Sequence, residues 1–290
     1  MHARRASPLH AARASVATAY WASLAAVALL PLLAGAPPNP ILLAVLLLAI
    51  ALAGAAAGSW RTVVRSLRIA LPMALFVAVV NGLVARDGLT VLARLGNVPV
   101  LGEVDVTLEA LVYGAAFGLA LAVCICAFGL AGATVDPDEQ LRSMRRISFR
   151  SALTATIATR MVPVLRADAT RMRDAQRCRP GGPPARLAVV RAVAANALDR
   201  AVNVAATLEV RGFGSARRPP RLRRPASRHD IAFGAAALAI AALAIGAQIA
   251  GLAGFVTYPR IRFASGAVPL AIAMLAIALA PFAQRRGIEQ

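Results

Sequence analysis

Two arginines stand where a helical run meets a helix breaker. The first run closes on Arg177-Cys178-Arg179-Pro180-Gly181-Gly182-Pro183-Pro184, the second on Glu209-Val210-Arg211-Gly212-Phe213-Gly214. A guanidinium is always charged and holds its N–H donors in a planar fork that fits a carboxylate or phosphate through paired hydrogen bonds. The chemistry on offer at such an end is recognition of an acidic groove, not bond making. A plainer account stands beside it. The last carbonyls of a helix are unpaired and partially negative, so an arginine there can cap its own helix. Two similar ends favour the first account, because a pair of protruding tips suits a pair of like sockets, as on a dimer. The candidate docking set is therefore Arg179 and Arg211 with their neighbours Arg177, Cys178, Glu209, Val210, Gly212 and Phe213.

Other chemistries find little support. All 32 basic residues are arginine, and a P-loop requires a lysine on the nucleotide phosphates, so the chain is not an ATPase of that type. The three histidines, His2, His10 and His229, show no metal-ligand spacing, and no paired carboxylates fall inside an apolar run. Cys124, Cys126 and Cys178 form no disulfide framework. No enzymatic activity and no cofactor are expected.

The elements that must hold the two tips are mostly apolar. The 290 residues are 59% hydrophobic with a mean hydropathy of +0.67, too apolar for an ordinary soluble domain. Apolar runs at 16–34, 41–58, 69–85, 108–133, 231–256 and 264–283 predict about six transmembrane helices. The first run exceeds a signal-peptide core and reads as an uncleaved span. The linker from Gly35 to Pro40 is a tight connection, and 86–107 reads as an exterior loop rich in turns. Within the fourth run Gly114 and Gly118 have the small-xxx-small spacing that admits a close neighbouring helix. Eight arginines lie in short segments on one side of these spans and four on the other, which puts the larger set, both termini and the long segment 134–230 in the cytoplasm. The expected fold is all-α, a polytopic membrane protein divided into 1–133 (four spans), 134–230 (a cytoplasmic pair of crossing helices) and 231–290 (two spans).

Inside that segment Asp136-Pro137-Asp138-Glu139 starts a short helix. The next helix places Leu153, Ile157, Met161, Leu165, Ala169 and Met172 on one face, with a kink expected at Pro163. In the helix after it, Leu187, Val190, Ala194, Ala197, Ala201, Ala205 and Leu208 form the expected packing face. Asn196, Asp199, Arg200, Asn203 and Thr207 form the opposite, polar one. The Pro-Gly hinge between the helices forbids one continuous rod, so a V or X is expected.

At these residues the chain resembles the transmembrane T component of energy-coupling factor (ECF) transporters, the family of the cobalt-type T proteins. Arg160-Met161-Val162-Pro163 and the run from Arg171 to Arg179 look like that family's first coupling helix. Leu198-Asp199-Arg200-Ala201, running on to Thr207-Leu208-Glu209-Val210-Arg211-Gly212-Phe213-Gly214, looks like its second. The family's tip motif is Ala-Arg-Gly. Here the second tip reads Val-Arg-Gly and the first Cys-Arg-Pro, which puts the grip of the first in doubt. The resemblance implies a subunit of an ABC importer in the cell membrane. Its implied partners are two ABC ATPase subunits, a small membrane S component that binds a vitamin or transition-metal ion, and the lipid bilayer.

Two other readings remain on the residues alone. One is an unrelated polytopic membrane protein, a permease or membrane enzyme, whose basic arms lie on lipid. The other makes 134–230 a nucleic-acid or anionic-lipid binder. The scarcity of aromatics, 5% of the chain, leaves no stacking platform for bases, and no nucleic acid is expected.

Overall fold

Long apolar runs close their own backbone hydrogen bonds, and in this chain they do so as helices. The computed structural model describes residues 8–84, 90–98, 102–144, 148–178, 186–212, 226–258 and 261–283. In chain order the elements are α1 (Pro8–Ala11), α2 (Ala14–Leu33), α3 (Pro40–Ala56), α4 (Trp60–Val84), β1 (Val91–Val98), β2 (Gly102–Thr107) and α5 (Leu108–Thr134). There follow α6 (Pro137–Met144), α7 (Phe149–Arg177), α8 (Arg186–Val210), α9 (Arg228–Ile249), β3 (Phe255–Val256), β4 (Arg262–Phe263) and α10 (Ala267–Ala283). The chain divides into two compact units, residues 1–140 with 226–290, and residues 141–225.

In the larger unit α2, α4, α5 and α9 are long and apolar enough to cross a membrane. The apolar helices α3 and α10 have 17 residues each, about 25 Å of helix and the short end of what spans a bilayer. The fold is that of an all-α polytopic membrane protein, with only two small hairpins of sheet among the described residues. Large side chains such as Leu75, Phe76, Leu238 and Ile272 are exposed on these helices, a surface that only lipid or another apolar face would cover.

The core of this unit gathers around the middle of α2. Tyr20 packs edge-on against Trp21 and Phe233, each with ring centroids 5.3 Å apart, and Phe282 stands 5.1 Å from Phe233. Buried aromatic rings need partners for their polar atoms. The Tyr20 hydroxyl donates to the Ala278 carbonyl at 2.7 Å, and Trp21 Nε1 donates to Thr134 Oγ1 at 2.9 Å. Thus α2 is bonded to α10 on one side and α5 on the other.

The helix starts follow local rules. Asn39 caps α3 by accepting from the Ile41 N–H at 3.0 Å, with Pro40 in the first turn. Ser227 and Asp230 form a capping box on α9. Asp230 also accepts the Arg13 N–H at 2.6 Å and faces Arg13 Nε at 3.3 Å, tying the starts of α2 and α9 together.

Where α4 meets α5 the small-residue spacing does what the sequence expects. A Cβ added at Gly114 would lie 2.6 Å from Asn81 Cβ and 2.9 Å from Ala78 Cα, and one at Gly118 would strike the Ala74 carbonyl oxygen. The glycines let the backbones of the two helices touch.

Four expectations are corrected. The third span is not a helix confined to 69–85. It begins at Trp60, and Arg61, Arg65 and Arg68 form an exposed stripe on its first turns, opposite buried Val63, Ser66 and Ala70. A helix is amphipathic at its end as readily as a loop is basic, and the run of charges hides that. The segment 86–107 is no mere loop, because β1 and β2 pair antiparallel from Val91↔Thr107 to Val98↔Gly102. Valine and threonine suit a pleated ladder. The hairpin is anchored to α5 by Glu109, whose carboxylate accepts from the Thr90 N–H at 3.2 Å and the Thr90 hydroxyl at 2.9 Å. The fifth span does not reach Val256. α9 stops at Ile249, followed by Gly251 at φ +69°, and Val256 lies in β3. Lastly, the packed face of α8 is not the expected one, as described next.

Candidate docking site

The smaller unit carries both tips. Its first helix, α7, starts on Ser148, whose hydroxyl accepts from the Ser151 N–H at 3.4 Å, and continues through Pro163 without interruption. The expected apolar face is the covered one: Leu153, Ile157, Met161, Leu165, Ala169 and Met172 are all partly buried. Helix α7 ends at Arg177, and Cys178 closes the last turn with its N–H on the Asp174 carbonyl at 3.3 Å.

Helix α8 packs on α7. Its covered positions are Val189, Val193, Ala197, Arg200, Val204 and Leu208, spaced by three and four. The face expected from the sequence is mostly exposed, with Leu187 and Val190 open to the surroundings and only Ala197 and Leu208 shared. The reason lies in composition. An alanine-rich helix has small apolar residues nearly all round, so its pattern does not determine which side packs. The covered face includes a charge. Arg200 Nη1 stands 3.3 Å from Asp168 Oδ2, and the Asp168 side chain is only 12% exposed. The sequence pattern predicts Arg200 on the polar side. The period through Val193, Ala197 and Val204 was the signal that could have put it in the seam.

The tip of α8 is built by its backbone. The Arg211 N–H reaches the Thr207 carbonyl at 3.2 Å, the Gly212 N–H reaches Glu209 at 2.8 Å, and Gly212 adopts φ +74°. That left-handed residue stops the helix and is the conformation in which glycine replaces other residues at helix ends. The chain thereby leaves Glu209, Val210 and Arg211 exposed at the very end, Val210 at 89%. Among the described residues the Arg211 guanidinium has no hydrogen-bond or ion-pair partner, so it does not cap its own helix there. At the other tip Arg177 makes an exposed contact with Asp174 at 3.8 Å, and Cys178 is a free, exposed thiol.

Six of the eight candidate residues thus sit on the exposed ends of α7 and α8. The other two, Arg179 and Phe213, lie outside the described residues, as do the Pro-Gly hinge and the basic run after Phe213. What the structure brings together is the two helices that carry the tips, through Asp168 and Arg200. Among the described residues no group of three or more His, Cys, Asp or Glu could hold a metal ion.

Comparison with curated proteins finds no match. The family profile of CbiQ, described as cobalt transport protein, matches residues 15–221, from the second residue of α2 through α8 and both tips. The chain is therefore a member of the CbiQ cobalt transport protein family, the membrane T components of ECF transporters.

Proposed function

We propose that this chain is the coupling subunit of an ECF-type ABC importer. The ends of α7 and α8 seat in grooves on two ABC ATPase subunits, and the helices carry the closure of those ATPases to a small membrane S component. The S component binds the cargo, a transition-metal ion or a vitamin. The observation that carries this reading is the exposed Arg211, held out at the end of α8 by the turn at Gly212, its guanidinium without a partner among the described residues. Such a group binds a carboxylate in a partner's groove without first giving up a bond of its own. Arg179 takes the same part at the first tip.

The protein lies in the cell membrane with both termini and residues 134–230 in the cytoplasm, supported by the eight-to-four distribution of arginines in the short segments. Rigid helices pinned at their ends turn a hinge motion of one subunit into a displacement of another.

The test is co-purification with two cassette ATPases and an S component, followed by ATP-driven uptake. Arg211→Glu is expected to lose the ATPases or to hydrolyse ATP without uptake, and Arg179→Glu to weaken both. A double charge reversal with normal assembly and uptake would refute the tip assignment.

A further inference from the structure

Helix α4 changes character along a single face. Arg61, Arg65 and Arg68 are exposed on its first turns, and at 3.6 residues per turn they fall within about 60° of one another. Leu75, Phe76 and Val79, also exposed, continue the same side of the helix two turns further on. Trp60 stands exposed at the head of the stripe. The other side of these first turns packs toward α5, where a Cβ added at Gly129 would strike the Ser66 hydroxyl.

The stripe has no counter-charge of its own. Helix α4 contains no aspartate or glutamate. Among the described residues none of the three guanidiniums has a hydrogen-bond or ion-pair partner. Arg13, at the start of α2, is instead matched by Asp230. Three like charges along about 10 Å of helix repel one another, and an anion set among them relieves that repulsion.

Which anion fits follows from what lies beyond the stripe. A free phosphate would use the arginines and leave the apolar continuation uncovered. A phospholipid carries both parts in the order the helix presents them. Its headgroup layer is roughly 5–8 Å deep in each leaflet, and the long side chain of Arg68 can reach up into it. From Ile69 to Val84 about 22 Å of helix follows, the larger part of a hydrocarbon core of roughly 30 Å. An exposed indole such as that of Trp60 belongs at the level where the two meet.

We propose that this face of α4 binds an anionic phospholipid. Arg61, Arg65 and Arg68 hold the phosphate through charge-assisted hydrogen bonds, and the acyl chains lie along Leu75, Phe76 and Val79. The site needs only the membrane-spanning unit and is independent of ATPase docking.

The chain has two tryptophans, Trp21 in the core and Trp60 beside the stripe, so quenching by brominated lipid reports on Trp60. The full chain is reconstituted in phosphatidylcholine vesicles holding a minor fraction of brominated phosphatidylglycerol, and in others holding the same fraction of brominated phosphatidylcholine. The parent is expected to be quenched more by the anionic lipid. Each arginine replaced by glutamine is expected to lower that preference about fivefold, so that Arg61→Gln, Arg65→Gln and Arg68→Gln together abolish it. Arg228→Gln, exposed at the start of α9 and outside the stripe, is expected to leave it unchanged. Inorganic phosphate and chloride at equal ionic strength are expected to weaken the preference equally. A triple variant that keeps the preference would overturn the proposal and leave the stripe to an acidic protein surface. Selective loss in inorganic phosphate would overturn it in favour of a free anion. If the triple variant does not reconstitute, Arg65→Gln alone decides.

Discussion

At Arg211 and Arg177 the same side chain ends two helices in different company. Arg177 faces Asp174 at 3.8 Å with both groups well exposed, and an ion pair of that kind contributes about 0–1 kcal/mol. It hardly hinders a partner from taking the guanidinium. Arg211 has no competitor to displace among the described residues, and only its shape and charge decide its contribution. Lysine keeps the charge and loses the planar fork. Arg211→Lys is therefore expected to retain the ATPases at low salt and to release them at salt concentrations the parent withstands. Elution of the complex over a salt series checks this, and identical retention would mean that charge alone suffices. That an arginine stands at each tip is legible in the sequence. That Arg211 is unengaged among the described residues is not, since an arginine at a helix end can equally turn back on its own carbonyls.

Among the elements, α4 and α5 depend most visibly on individual atoms. At Gly118 an added side chain would meet the backbone of Ala74, which cannot move without displacing all of α4. Gly118→Leu is expected to destabilise the membrane unit by about 1–3 kcal/mol or more, seen as a lower melting temperature and loss of a single elution peak. Gly132, on the same helix, has nothing within 4 Å of an added Cβ, and Gly132→Ala is expected to be neutral or slightly stabilising. Equal effects at both positions would show that helix propensity, not close approach, governs this pair. The spacing of Gly114 and Gly118 announced a close neighbour. It could not say that the neighbour is α4, because any helix with a smooth face accepts that motif. For α8 the sequence was less informative still, its many alanines supporting several faces equally.

Over the whole molecule, the two units differ in composition, one built of apolar helices and the other holding the charged helices α7 and α8. The three cysteines report on that division. Cys126 is buried and Cys124 half-buried in α5, a helix apolar enough to span the membrane, while Cys178 is exposed at the end of α7. A membrane-impermeant maleimide is expected to label Cys178 alone, and to do so from the cytoplasmic face, in inverted vesicles but not in intact cells. Labelling in intact cells would reverse the orientation drawn from the arginines and remove the tips from any cytoplasmic ATPase.

The sequence alone determined the membrane character, the all-α class, the run of apolar helices and the two arginine ends, because these depend on local properties. Hydropathy, periodicity and the helix-breaking geometry of glycine and proline act within a few residues. Tertiary structure decided that 91–107 pairs as a hairpin held by Glu109, that α4 begins at Trp60, and that Arg200 turns into the seam to meet Asp168. The hairpin and the seam join residues separated in sequence, and the start of α4 depends on what its buried side packs against. Which face of an alanine-rich helix is covered, and which charge finds a partner, follows from the surface presented by the opposing helix.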